Sequence, residues 1–474
     1  MPNRLTLNTA LQMFSRLLEL ACGIVVNAAL ARHWGSTVFG QTGLVTGIAG
    51  LCSFLFDLGL GTLLVREISR DRRRARHFVV NGLVALVPLS ILGTGCVVGI
   101  GLIAGSAALL PALLLAGLLM ALSAATQVVR ASFYAFERME FESLAVAVDR
   151  LAYLAAGLWL AWQPPSIPAL FALLAACKAL NLAICSVAYR RAIAPQADPP
   201  APALGTQAGL LRQGLPFGFN LVFSTIYVSA DIVLLSALVG GANAGHYRAA
   251  SMLVVPLTLL AVSLNTAIFP RMSASALHGR GGVAGYASFA VRIVTAAGIP
   301  LAVFVGLFAP QIVAVLYGPG YGPAVLMLQV LALVIPVRFL NHSLATALTA
   351  CDRQLWRTVC AGIAALVNVA LTVMLISRWQ GLGACIATVL TDLYMVALLW
   401  LCLRRELGPE SRFAPPAALQ SLFISGLILV PLVALEVPLL PAAAVMALMY
   451  PLLLVRAGIL SEGEIRLLAK RADS

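Results

Sequence analysis

Apolar stretches about twenty residues long recur from one end of the chain to the other, with short polar segments between them. Runs of that length predict helices that cross a bilayer. Fourteen are read, at roughly 9–31, 38–65, 79–105, 108–135, 144–163, 167–189, 213–239, 245–270, 286–308, 323–349, 358–377, 381–403, 419–436 and 438–456. The connections are short. The largest interruption, Arg190 to Arg212, contains APQADPPAPALGTQ, a Pro/Ala-rich linker. The expected fold class is therefore an all-α polytopic membrane protein.

Composition agrees with the pattern. The 474-residue chain is 61% hydrophobic and 10% charged, whereas a soluble domain carries about 25% charged residues. Such a chain cannot cover a water-facing surface. A net charge of +13 would suggest nucleic acid in a soluble protein. Here the basic residues sit between apolar runs, so the charge reads as topology and no nucleic-acid partner is expected. The nine cysteines lie mostly inside apolar runs, without CxxC or a histidine cluster. They read as small packing residues, so neither disulfides, nor a metal, nor a cofactor is expected. The N-terminus lacks a small-residue cleavage site, so the first run is expected to be a retained span.

The positive-inside rule orients the chain. With a cytoplasmic N-terminus, the inner segments hold 22 basic residues and the outer ends only Arg32, Arg248 and Arg378. Both termini are then cytoplasmic. An internal repeat accompanies this bias. GSTVFGQTG from Gly35 and GGANAGHYR from Gly240 align at an offset of 205, pairing Gly40 with Gly245 and Arg66 with Arg271. FERMEFES and CDRQLWRT align at 215, pairing Glu137 with Asp352. Six spans per copy is an even number, which makes the repeats parallel and points to a transporter architecture. The domain reading follows: an N-terminal lobe at 1–190, a cytoplasmic linker at 191–212, a C-terminal lobe at 213–403, and two further spans with a tail at 404–474.

Five motifs carry a resemblance: FDLGLGTLLVREIS (56–69), FERMEFESL (136–144), AIFPRMS (267–273), LYGPGYGPA (316–324) and WQGLGACIATVLTD (379–392). In that order, on fourteen spans, they resemble the Wzx-type oligosaccharide flippases of the multidrug/oligosaccharidyl-lipid/polysaccharide exporter superfamily. The resemblance implies a MATE-like fold of two six-helix lobes plus two C-terminal helices. It also implies alternating access, with undecaprenyl-pyrophosphate-linked oligosaccharide as cargo at the bacterial inner membrane. A polysaccharide polymerase and glycosyltransferases would be partners, and the arginine cluster at 66–76 would touch anionic lipids.

A diphosphate cannot cross hydrocarbon unaided, since one charged side chain at mid-bilayer already costs about 2.5–3.5 kcal/mol on insertion scales. Cations inside the spans are therefore the candidates for substrate contact, and arginine's planar fork suits phosphate. Lys178 and Arg338 lie far from either end of their spans, about 16 Å deep. Arg16 sits two turns into the first span, and Arg248 begins the eighth. The competing reading is neutralisation by intramembrane acids, with Arg16 and Glu19 spaced i,i+3 on one face. Glu19, Asp57 and Asp231 are candidates for proton coupling, because a carboxylate in a cavity can carry a proton. Gln12, Ser15, Asn27, Gln41, Asn220, Ser224, Tyr227, Asn265 and Asn341 could bond sugar hydroxyls or neighbouring helices. Pro88, Pro216, Pro256, Pro300 and Pro336 mark kinks.

No HExxH, DxD or nucleophile elbow occurs, and the connections leave no room for an extramembrane catalytic region. A polyprenyl-dependent glycosyltransferase or polymerase is thus the minor reading, and no enzyme activity is expected. A multidrug or cation antiporter, or a lipid II flippase, is the closer rival.

Overall fold

A computed structural model describes the backbone of residues 2–199, 204–276, 280–408 and 415–456. Within these, it describes the side chains except those of 2–11, 204–206, 216–221, 224, 280–281, 415–417 and 455. The side chains of Pro216, Asn220 and Ser224 therefore lie outside the described residues. Among the described residues every regular element is a helix.

The chain divides into two compact units, Met1–Gly245 and His246–Ser474. The first unit holds α1 (Pro2–Asp57), α2 (Leu60–Arg70), α3 (Ala75–Ile103), α4 (Leu110–Ala135), α5 (Met139–Ala161), α6 (Ile167–Ala192), α7 (Leu204–Val239) and the start of α8 (Gly241–Val254). The second holds the rest of α8, then α9 (Thr258–Ala276), α10 (Arg280–Leu307), α11 (Ala309–Leu316), α12 (Gly322–Ala332), α13 (Val334–Ala350), α14 (Gln354–Leu407), α15 (Pro415–Ala434) and α16 (Leu439–Arg456).

Nine described helical segments are long and apolar enough to cross a membrane, with three shorter apolar helices at Thr225–Val239, Ala418–Ala434 and Leu439–Leu454. Two of the nine, Gln12–Arg70 and Gln354–Leu407, are double length. Each covers two expected spans, so all fourteen are accounted for in order. The doubled helices turn at single residues. In α1 the turn is Gly35, at φ 76°, a backbone region open to glycine without a Cβ penalty. In α14 it is Gln380, at φ 50°, and Gly383 lets the returning limb meet the Leu375 carbonyl directly.

Helices break at three places within the expected spans, two of them at or just before the marked Pro256 and Pro336. Leu58 (φ 44°) and Gly59 (φ 79°) separate α1 from α2 inside the expected second span, and Asp57 restores a cap by accepting from the Gly61 N–H at 3.0 Å. Pro256 sits in a short 3-10 turn, Val255–Leu257, between α8 and α9. The α12–α13 junction at Leu333 precedes Pro336. Pro88 and Pro300 lie inside unbroken helices.

The repeat is written into the backbone. Gly35 and Gly240 both have positive φ, at 76° and 106°. Glu137 and Asp352 have φ 58° and 59°. Their turns close with the same bonds: Glu137 N–H to Tyr134 O (3.2 Å) and Arg138 N–H to Phe133 O (2.9 Å), against Asp352 N–H to Thr349 O (3.1 Å) and Arg353 N–H to Leu348 O (3.0 Å).

Packing relies on small residues that let helices approach closely. In the first unit Gly93 faces the Phe56 ring, Gly101 faces Leu113 and Gly117 faces Thr94. Gly214 of α7 lies against the Leu58 carbonyl at the α1–α2 break. In the second unit Phe308, Ile428, Leu429 and Tyr450 join α15 and α16 to α10, and the Tyr450 hydroxyl donates to Ala296 O at 2.7 Å. Large apolar side chains such as Ile91 (71% exposed) and Leu366 (72%) point outward, as a lipid-facing surface requires.

Candidate functional site

Several interior charges are held in pairs across helices. In the first unit, α5 begins at Met139 rather than at 144, so Asp149 sits about three turns into the helix and is buried, 2% exposed. Its Oδ2 is 3.5 Å from Lys178 Nζ on α6 and 3.8 Å from Arg150 Nε, and it accepts from Asn181 Nδ2 at 3.4 Å. Arg150 in turn bonds Glu19 on α1. Glu19 thus joins Arg150 on a different helix, rather than serving only its i,i+3 neighbour Arg16, which is exposed. Lys178, Asp149, Arg150, Tyr153, Ser123 and Cys177 line a cavity of about 230 Å³. Asp149 and Arg150 were the residues the sequence undervalued, because a span boundary at 144 places them near a helix end.

A second group lies at the α1–α2 break. A cavity of about 550 Å³ is bounded by Asp57, Gly61, Thr62, Arg66, Gln127 and Tyr134. Tyr134 donates to Glu142 Oε1 at 2.6 Å, and Arg130 bonds the same oxygen. Asp231, the other acid candidate, is 3% exposed on α7.

In the second unit Arg338 of α13 donates from Nε to Asp392 Oδ2 of α14 at 3.0 Å. Asp392 is fully buried and also accepts from Asn341 Nδ2 at 3.2 Å. Arg248 lies on α8, where its charge acts on Tyr317. Burial pushes the Tyr317 phenol up and Arg248 pulls the other way, while the hydroxyl donates to Ala249 O at 2.9 Å. Among the polar candidates, Asn265 accepts from Ser343 Oγ at 2.9 Å and Asn27 donates to Gly23 O at 2.8 Å. The structure therefore brings Glu19 and Lys178 into one network and gives Arg338 a separate one.

Such an arrangement keeps charge at depth while leaving little of it uncompensated. Removing either partner of a buried pair typically costs about 3–5 kcal/mol, because the survivor is stranded. The same groups, reached by a hydrated ligand, can exchange an internal partner for an anion of matching geometry.

The profile of the polysaccharide biosynthesis protein family matches residues 5–276, more than half of the chain. The chain belongs to that family. The profile of the lipid II flippase MurJ matches residues 208–456. Both families are flippases of the multidrug/oligosaccharidyl-lipid/polysaccharide exporter superfamily, and the Wzx-type resemblance of the five motifs fits the first of them. Among solved structures, lipid II flippase MurJ in an inward closed conformation is similar with a TM-score of 0.77 at 14% identity, covering 96% of this chain and 100% of that one. An inward-facing multidrug MATE transporter is similar at 0.62 and 14% identity, covering 83% of this chain and 98% of that one. A superfamily transporter from Pyrococcus furiosus is similar at 0.53 and 13% identity, covering 85% and 95%. At these identities the likeness concerns the fold, which is MATE-like and multi-pass. No curated protein matches the sequence significantly.

Proposed function

We propose that this flippase moves a polyprenyl-diphosphate-linked oligosaccharide, a repeat unit of O-antigen, capsule or exopolysaccharide, across the bacterial inner membrane by alternating access. The observation that carries the proposal is the polysaccharide biosynthesis match over residues 5–276, which includes almost the whole first unit. The cationic groups Arg16, Lys178, Arg248 and Arg338 serve the diphosphate, and Glu19, Asp57 and Asp231 serve proton coupling. Lys178 supports this role by lining a cavity rather than being enclosed in packing. Polymerase and glycosyltransferases act before and after it on the same lipid carrier, and both termini face the cytoplasm.

A second cargo, lipid II, is favoured by the MurJ match over 208–456 and the TM-score of 0.77. The two cargoes share a polyprenyl diphosphate and differ in the sugar. The test is complementation. Deletion of the gene should abolish a surface polysaccharide while leaving peptidoglycan synthesis intact, and the wild-type gene should restore it. Rescue of a lipid II flippase deficiency, without effect on polysaccharide, would replace the first reading by the second.

A further inference from the structure

Two cavities, one in each unit, occupy matching places in the repeat. The first is the 550 Å³ cavity at Asp57 described above. The second, about 280 Å³, is walled by Asn265 and Thr266 of α9, His342, Thr346 and Thr349 of α13, and Arg357 of α14. Five lining residues of each cavity are repeat mates, 205 positions apart from α1–α2 to α9 and 215 apart from α4 to α13. Asp57 becomes Val262, Gly61 becomes Thr266 and Gln127 becomes His342. Ala131 becomes Thr346, Tyr134 becomes Thr349, and Glu142, the acceptor for Tyr134, becomes Arg357. The matched turns at Glu137 and Asp352 support the correspondence along α4–α5 and α13–α14, whereas the Leu58–Gly59 break has no counterpart in the continuous α9.

At these positions the carboxylates of Asp57 and, behind Tyr134, of Glu142 give way with the Tyr134 phenol to a guanidinium, an imidazole and three threonine hydroxyls. Thr62 and Arg66 of the first wall have mates, Ala267 and Arg271, outside the second. Among the described residues walling the second cavity there is no carboxylate. We propose that this second cavity binds a phosphate group.

The chemistry is that of a small oxyanion site. Arg357 presents a planar fork suited to two phosphate oxygens. Its Nη1 lies 3.5 Å from Thr349 Oγ1, so guanidinium and hydroxyl converge. The hydroxyls of Thr266, Thr346 and Thr349 rest on carbonyls one turn back, at 2.7–2.9 Å. A hydroxyl hydrogen rotates freely, so each can turn from that carbonyl to an arriving oxygen. The volume falls just below the range of sites for drug-sized ligands, about 300–1,000 Å³, and suits a phosphate or diphosphate rather than several sugars. The α13–α14 turn beside it carries Arg353 and belongs to the segments expected on the cytoplasmic side.

Phosphate recognition rests on these residues alone. Only the choice of the cargo's diphosphate as its source rests on the function proposed above, the other source being a phospholipid headgroup. Binding therefore tests it, rather than transport. The full chain in phosphatidylcholine nanodiscs would be titrated with inorganic pyrophosphate, with a short-chain polyprenyl diphosphate, and with phosphatidylglycerol. Arg357→Gln should weaken binding at least tenfold and Thr349→Val a few-fold, while Thr62→Val in the first cavity changes little. An effect in the polyprenyl diphosphate arm names the cargo as the source, and one confined to phosphatidylglycerol names the bilayer. Arg357 is exposed, so its variant should fold, and a matching thermal midpoint would verify this. If Arg357→Gln fails to fold, Thr349→Val provides the reading. Equal binding by wild type and variants in every arm, or no binding in any, overturns the proposal.

Discussion

Gly40 and Gly245 sit where two helix backbones meet with no side chain between them. A methyl group on Gly40 would overlap the Gly241 carbonyl, and one on Gly245 would overlap the Ser36 carbonyl. It is one contact made twice, since 36 and 241, and 40 and 245, are repeat mates 205 positions apart. Gly40→Ala should push α1 and α8 apart, at an overpacking cost of about 1–3 kcal/mol. Gly23→Ala is the control, because a methyl there meets nothing within 4 Å and replaces a mid-helix glycine. Thermal unfolding of the purified protein should show a lower midpoint for the first and not for the second. Equal midpoints would mean the helices can separate at no cost.

Arg338 and Asp392 allow a structural role to be separated from cargo binding. Arg338→Gln alone strands a fully buried carboxylate and should cost about 3–5 kcal/mol. Adding Asp392→Asn removes the stranded charge, and most of the lost stability should return. Transport should not return with it if the guanidinium serves the diphosphate. Melting curves and surface polysaccharide are the two measurements. A double variant that is both stable and fully active would leave Arg338 as half of a structural pair.

Much of this was legible in the sequence because the informative motifs are the places where the backbone turns. FDLGLG carries the Leu58–Gly59 break, FERMEF the Glu137 turn, LYGPGYG the Gly318 turn and WQGLG the Gln380 turn. Composition alone located the spans, since only an apolar helix satisfies its own backbone in lipid. Charge pairing was harder. Glu19 could be assigned to Arg16 by spacing, but Arg150, 131 residues away, takes it through the α1–α5 packing. Asp149 reads as an acid near a span end when the boundary is set at 144, five residues late, and no local pattern links it to Lys178. The second cavity was missed because Arg357 reads as a loop cation and His342 as a lone histidine. Laying the two halves of the repeat over one another is the signal that finds both.

The two limbs of α14 bring Cys360 and Cys402 together, with the Sγ atoms 3.8 Å apart. Both thiols are free. In a variant keeping only these two cysteines, mild oxidation of the folded protein should link them within one chain. Mass spectrometry of a digest would detect the joined peptides. A pair that stays unlinked under conditions that oxidise exposed thiols would argue against the antiparallel packing of these limbs.

Asp57 offers the cleanest test of proton coupling, because its structural task does not require its charge. Its Oδ1 caps α2 through the Gly61 N–H, and an asparagine oxygen can accept the same bond. Asp57→Asn should therefore keep its fold and thermal midpoint to within about 1 kcal/mol. If the carboxylate carries the coupling proton, wild-type flipping in vesicles should accelerate under an imposed pH gradient and the variant should not respond. Asp231→Asn and Glu19→Gln provide the comparison, the latter also loosening the bond to Arg150. A wild type indifferent to the gradient would remove proton coupling altogether, and a variant that responds normally would move it from Asp57 to one of the other two acids.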